Sequence, residues 1–259
     1  MSLLADNVCL RLGNKNVLDD ITCQVDLGKT TAIVGANGSG KSSLLKTLSG
    51  EYSPNRGSVT LDDIELSDLS ALEQARRRAL MSQNPSVTFD FLVSEIIEMG
   101  WVQNDLPIRT FKESVNEVAT LCSIDRFLER RLHSLSGGER QRIHFARTLL
   151  QIWNITNDSR SRYLLLDEPT SNLDIVYELE LLKLAKYMSA KGVGVLIVLH
   201  DLNLAARFAD YIYLLVSGRV FSEGEVNEVY TEKILSEAYE IPLSVERHKS
   251  TNRLIVFVD

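Results

Sequence analysis

A chain of 259 residues, 44% hydrophobic, with 28 Lys and Arg against 35 Asp and Glu, can bury one large core with a smaller subdomain attached. The ordinary apolar content excludes a disordered chain. The formal charge of −7 excludes broad nucleic-acid binding, which depends on clustered basic side chains displacing counterions.

In chain order, residues 8–10 and 58–61 are short strand-like pieces, and Asp62-Asp63 is a turn; together they predict antiparallel hairpins in the first third. Residues 31–34 form an apolar run of strand length, and helical spacing follows over 43–48. From Asn84 to about His133 no β-branched run of strand length occurs. Helical spacing appears instead in Val93, Ile96 and Ile97 and in Phe111, Val115, Val118 and Leu121. With the helical pattern over 140–150, residues 84–150 are predicted to be an inserted helical subdomain. Residues 152–162, with Asn154, Asn157, Asp158 and Ser159, read as a polar loop. Strand-length runs at 163–166, 193–199 and 211–216 then alternate with helical patterns at 175–188 and 202–208. Continuous apolar runs mark strands buried on both faces, as in a parallel sheet covered by helices. Residues 222–259 are predicted to extend the core, with a helical pattern over 231–239 and a terminal strand over 254–258. The expected fold is α/β: one domain over 1–259, a mixed or parallel sheet with helices on both faces, an N-terminal antiparallel β part and the helical insertion.

The basic runs Arg76-Arg77-Arg78 and Arg130-Arg131 read as solvated faces. Cys9, Cys23 and Cys122 show no metal-ligand spacing and are expected to be small core residues in a reducing compartment. His133, His144, His200 and His248 form no HxxxH pair. The first six residues lack the basic and apolar parts of a secretion signal, and the longest apolar runs fall far short of the roughly 20 residues of a membrane helix. The chain is therefore not expected to cross a bilayer by itself.

Gly35-Ala36-Asn37-Gly38-Ser39-Gly40-Lys41-Ser42 fits G-x-x-x-x-G-K-[ST], placed after an apolar strand and opening a helix. Glycines let the backbone wrap a phosphate chain with its N–H groups turned inward, and the helix N-terminus favours negative charge. Gly35, Asn37, Gly38, Ser39, Gly40, Lys41, Ser42 and Ser43 are the candidate nucleotide-binding residues; Lys41 reaches the β- and γ-phosphates and Ser42 ligates Mg2+. The alternative is a Gly-rich strand-to-helix turn without a ligand. Asp167 and Glu168 close the apolar run 163–166, and ligands of parallel sheets sit beyond the carboxyl ends of strands. Asp167 is the candidate Mg2+ ligand and Glu168 the candidate general base. Such acid pairs also occur simply as strand caps.

Leu135-Ser136-Gly137-Gly138-Glu139-Arg140-Gln141 has a local reading: Ser136 and Glu139 make a capping box ahead of a helix carrying Ile143, Ala146, Leu149 and Leu150. A capping box does not require the paired glycines. The segment resembles the signature motif of the ATP-binding cassette family, and the motifs stand in that family's order over essentially the whole chain. The resemblance implies a P-loop NTPase core that hydrolyses ATP with Mg2+. It places Gln83 as the Q-loop glutamine, catalytic and a Mg2+ ligand, and His200 as the switch histidine contacting the γ-phosphate. Ser171-Asn172-Leu173-Asp174 resembles the D-loop, Asn172 standing at a variable position. The family's adenine-stacking aromatic has no counterpart, since Leu12 precedes Gly13.

The family's geometry further implies a homodimer in which Ser136, Gly137 and Gly138 meet the γ-phosphate held by the partner, with Asp174 linking the two sites. It implies a separate membrane permease dimer, docking near Gln83 with Phe89, Phe91, Met99 and Trp101 as candidate contacts, and indirectly a periplasmic binding protein. The location implied is the cytoplasmic face of the inner membrane. The run His200-Asp201-Leu202-Asn203-Leu204-Ala205-Ala206-Arg207-Phe208 is similar to importers of iron chelates, haem and cobalamin. Ala75-Arg76-Arg77-Arg78-Ala79-Leu80, Arg11-Leu12-Gly13 and the loop 151–162 look like the haem importers among them. Ferric-siderophore or cobalamin import, or a soluble iron–sulfur assembly cassette, are the alternatives. Tyr239, Val245 and Arg247 near the C-terminus are expected to pack on the core, with control of dimerisation as the other reading.

Overall fold

The computed structural model describes residues 1–83, 87–103, 107–153, 159–171 and 173–258. The readings at Asn84, Asn154, Asn157, Asp158 and Asn172 lie outside the described residues. The chain opens with a long hairpin, β1 (Ser2–Leu12) and β2 (Lys15–Asp26), whose inward residues Leu3, Ala5, Val8 and Leu10 face Leu18, Ile21, Cys23 and Val25. Both strands are longer than the sequence pattern predicts. Irregular register between Ala5 and Val8, and between Val8 and Leu10, breaks the period-two alternation that a strand is read by.

β3 (Thr30–Val34) is buried along its whole length and runs through the Gly-rich loop into α1 (Lys41–Leu48). β4 (Arg56–Leu61) and β5 (Ile64–Glu65) flank the Asp62-Asp63 turn, where both aspartates have positive φ. α2 (Ala71–Arg77) leads directly into β6 (Arg78–Met81). That junction corrects the reading of Arg76-Arg77-Arg78 as a solvated face. The Arg77 guanidinium is ion-paired with Asp62, both side chains only 14% exposed, and Asp62 also accepts from Ser161 and from the Tyr163 hydroxyl at 3.1 Å. Long arginine stems can be buried when the head group finds a carboxylate, so a basic run need not lie in water.

The insertion is helical: α3 (Val93–Glu98), α4 (Ile108–Leu121) and α5 (Gly137–Gln151). β7 (Tyr163–Asp167), α6 (Ile175–Ala190), β8 (Gly194–Val198), α7 (Leu202–Phe208) and β9 (Tyr211–Val216) then alternate as the sequence predicts. β10 (Arg219–Glu225) returns antiparallel, and α8 (Val226–Val229), α9 (Glu232–Tyr239), β11 (Leu243–Arg247) and β12 (Leu254–Val258) complete the chain.

The central sheet has the order β10-β9-β3-β8-β7-β6, all neighbours parallel except β10 with β9. Successive residues of its buried strands divide between two cores. Ala32, Val34, Leu164, Leu166, Val195 and Ile197 pack with residues of α3 to α7 and the C-terminal elements. Ile33, Leu165, Leu196 and Val198 pack with α1 and the β1–β2 hairpin. One face is thus covered by helices and the C-terminal β11–β12 hairpin, while the other is shared by α1 and the antiparallel sheet β2-β1-β4-β5.

Candidate nucleotide site

The Gly-rich loop leaves β3 and feeds α1, as the motif predicts. Gly35, at φ +146°, is pressed against β9: a Cβ there would lie 2.2 Å from the Leu215 carbonyl oxygen. Gly40 begins α1 at φ +104°, a conformation L side chains avoid. Ala36, Asn37 and Gly38 are exposed at the crown, and Ser43 is half-buried. Ser39 is buried, its Oγ without a hydrogen-bond partner. Lys41 is buried beneath the loop and donates to the carbonyls of Gly35 at 2.9 Å and Ala36 at 3.0 Å. Burial pulls its pKa down, and the carboxylates of Glu168 and Asp167 oppose that pull.

The parallel register assembles the facing wall. Asp167, buried at the end of β7, accepts a 2.9 Å hydrogen bond from Ser42 Oγ. Burial raises its pKa, and the Ser42 bond works against the rise. Met81 of β6 pairs with Leu166 of β7, and Asp167 pairs with Val198 of β8. Gln83 and Glu168 each lie two residues beyond the first pair, and His200 two beyond Val198, so all three emerge at the same edge. Glu168 receives the Gln83 amide on one carboxylate oxygen and His200 Nε2 on the other. Because a carboxylate only accepts, the His200 proton on that bond sits on Nε2. Glu168 itself has φ +47°, a left-handed conformation costing a non-glycine residue on the order of 1 kcal/mol. No local sequence signal marks this kink, since Pro169 biases the residue before it towards extended backbone, not the left-handed region.

Ser136 caps α5 in the full box: Glu139 N–H donates to Ser136 Oγ at 3.3 Å, and Ser136 N–H to the Glu139 carboxylate at 2.8 Å. Ser136 and Gly137 are exposed, Gly138 is half-buried, and a Cβ on Gly137 would meet nothing within 4 Å. Asp174 caps α6 by accepting from the N–H groups of Val176 at 3.0 Å and Tyr177 at 3.1 Å. Two braces escaped the sequence reading. Gln141 Nε2 donates to the Pro169 carbonyl at 3.3 Å, and the Arg142 guanidinium lies 4.0 Å from the centre of the Tyr177 ring. They tie α5 to the exit of β7 and to α6, and neither has a local signature.

The apolar residues proposed to line a docking groove divide. Phe89 is 72% and Met99 51% exposed, whereas Phe91 and Trp101 pack against the core, Phe91 edge-on to Phe89 and Trp101 edge-on to Phe111. Tyr239 and Val245 pack on the core as expected, while Arg247 lies at the surface and bonds Asn227 and Asn252. The donors around Asp167 suit a small hard cation: the Ser42 hydroxyl and the Asp167 carboxylate are already adjacent, and Gln83, whose Nε2 is turned to Glu168, keeps its amide oxygen.

Comparison with known proteins agrees with this geometry. Residues 18–171 match the ABC transporter family. The chain is 39% identical over 259 residues to the hemin import ATP-binding protein HmuV of Bordetella parapertussis, covering 99% of each chain. It is 39% identical over 249 residues to that of Hahella chejuensis, covering 95% of each. Among solved structures, the ATP-binding subunit of an ABC transporter superposes with a TM-score of 0.78 at 24% identity, over 88% of this chain and 92% of that one. The cbiO1 protein of Clostridium perfringens, part of the ABC transporter complex cbiONQ, gives 0.75 at 26% identity, over 91% and 92%. The chain belongs to the ABC transporter family, as one of its ATP-hydrolysing subunits.

Proposed function

We propose that this chain powers haem import, hydrolysing ATP to drive a separate permease dimer in the inner membrane. The convergence of Gln83 and His200 on Glu168 carries the catalytic part of the reading. The cargo rests on relatives similar over nearly their whole length that bear the name of hemin import proteins. The phosphates lie on the loop from Gly35 to Ser43, with Asn37 and Gly38 at its crown, Ser39 beneath it and Lys41 swinging from the loop carbonyls to the β- and γ-phosphates. Ser42, Asp167 and Gln83 hold Mg2+, which when bound neutralises phosphate charge. Glu168 takes the proton of the attacking water, and His200 fixes its carboxylate and contacts the γ-phosphate. Gln83, bonded to the same carboxylate, ties the site to the helical insertion over 84–150.

Two chains complete the site. Ser136 and the backbone of Gly137 and Gly138 donate to the γ-phosphate held by the partner, aided by the α5 N-terminus. The exposed, uncrowded Gly137 supports this, because among the described residues nothing lies within 4 Å of a Cβ placed there. Asp174 lies at the seam between copies. Phe89 and Met99 form the apolar part of the permease contact, in the helix-in-groove mode. Among the described residues no helix is long and apolar enough to cross a membrane. With a permease as partner, the chain sits peripherally on the cytoplasmic face, a periplasmic binding protein acting on it only through the permease.

Two measurements test this. Glu168→Gln is expected to keep ATP binding, slow hydrolysis by about 100-fold or more and accumulate the closed dimer; a normal rate contradicts the general-base role. In the reconstituted complex, haem-loaded binding protein is expected to stimulate hydrolysis, and stimulation by a ferric siderophore or cobalamin alone reassigns the cargo.

A further inference from the structure

The C-terminal strand is fastened to the short helix that follows His200. Asn203, in the first turn of α7, grips Val256 of β12 at two points. Its Oδ1 accepts from the Val256 N–H at 2.8 Å and its Nδ2 donates to the Val256 carbonyl at 3.1 Å. Val256 faces Val245 across β11–β12, yet its peptide groups turn to the opposite edge, where the carboxamide stands in for a neighbouring strand. The Asn203 N–H is in turn held at 2.7 Å by Asp201, which also caps Leu204 at 3.1 Å. Asp201 adjoins His200 in the chain.

α7 is seven residues long; Ala205 and Phe208 are buried in the core, and Leu202 and Leu204 pack half-buried against it. Its near end, with His200, Asp201 and Asn203, is exposed. Beside the packing of Leu202 and Leu204 and the His200 bond to Glu168, the side-chain hydrogen bonds that hold that end among the described residues are the Asp201 cap and the Asn203 grip on β12. A histidine that must meet a carboxylate within hydrogen-bond range depends on how firmly its own loop is held.

We propose that Asn203 is a positioning residue for hydrolysis: by gripping Val256 it fixes the first turn of α7 and so sets where His200 stands against Glu168. The C-terminal hairpin is thereby part of the apparatus that controls turnover. This rests on the role given to His200 above.

The test uses the full chain and the variants Asn203→Ala, Asn203→Asp and His200→Ala. Their kcat and KM for ATP are measured, and the ring signal of His200 is followed by NMR in histidine-labelled protein. Asn203→Ala is expected to lower kcat about tenfold or more with KM changed less than about twofold. The His200 signal is expected to shift or broaden while that of His133, on the helical insertion, stays. Asn203→Asp, which keeps the acceptor for the Val256 N–H and loses the donor, is expected to fall between. Wild-type kcat in Asn203→Ala, or a lowered kcat with an unmoved His200 signal, overturns the proposal. A normal rate in His200→Ala removes the underlying role of His200 as well, whereas an inactive His200→Ala beside a normal Asn203→Ala removes only the role of Asn203.

Discussion

Gly137 and His144, seven residues apart on one helix, separate what α5 needs for folding from what it offers outward. A Cβ at Gly137 meets empty space, so Gly137→Leu is expected to leave the unfolding free energy within about 0.5 kcal/mol. Its ATPase activity is nevertheless expected to collapse, because the added side chain blocks the partner's phosphate; equal losses of stability and activity would point to a folding defect instead. His144, two turns further along, is enclosed by the core instead. It is buried with Nδ1 unpartnered, and burial, then Arg147 and Arg140, push its pKa from 6.5 down to about 4. The unfolded ring binds a proton more readily than the folded one. The stabilisation is therefore complete above pH 6.5 and is lost as the pH falls towards about 4, by on the order of 3 kcal/mol at most. Urea midpoints at about pH 7.5 and about pH 5 are expected to diverge in the wild type and to converge in part in His144→Leu. An unchanged divergence in the variant assigns the acid sensitivity to other groups.

Elements differ in how far their surroundings can be inferred from their own residues. Among the helical insertion's aromatics, Phe89→Asp is expected to leave folding stability within about 0.5 kcal/mol, whereas Phe91→Asp, which buries a charge, costs about 2 kcal/mol or more. Thermal melts of the two variants check this, and equal losses would contradict the division between surface and core. The sequence reading grouped these residues because apolar character alone does not say which residue of the irregular segment ahead of α3 faces water. The central strands were legible because they are buried on both faces and read as unbroken apolar runs. β6 was not: its first residue is Arg78, whose side chain is partly buried beside Gln74. β1 and β2 were visible only in fragments, since their bulges interrupt the alternation. The motif residues around the phosphates were legible as types and spacings. Their meeting at Glu168 was not, because it depends on the strand order β8-β7-β6, and the Gln141–Pro169 and Asn203–Val256 bonds join segments 28 and 53 residues apart.

At the scale of the molecule, the sheet edge carries a nearly complete catalytic half: the phosphate loop, the Ser42–Asp167 pair and the Glu168 cluster. The hydrogen bonds of Ser136 stay within its own turn, leaving the hydroxyl and the paired glycines at the surface for a second copy. On the proposed reading, such a division makes every working site a product of two chains. Lys41→Ala destroys the phosphate loop and Ser136→Arg blocks the signature turn, so each variant alone is expected to be inactive. The most direct measurement is ATP hydrolysis by an equal mixture of the two. In a mixed pair one site joins the intact loop of the Ser136→Arg chain to the intact turn of the Lys41→Ala chain, and hydrolysis is expected to return on mixing. A mixture as inactive as its parents would mean that each chain completes its own site, which contradicts the shared arrangement.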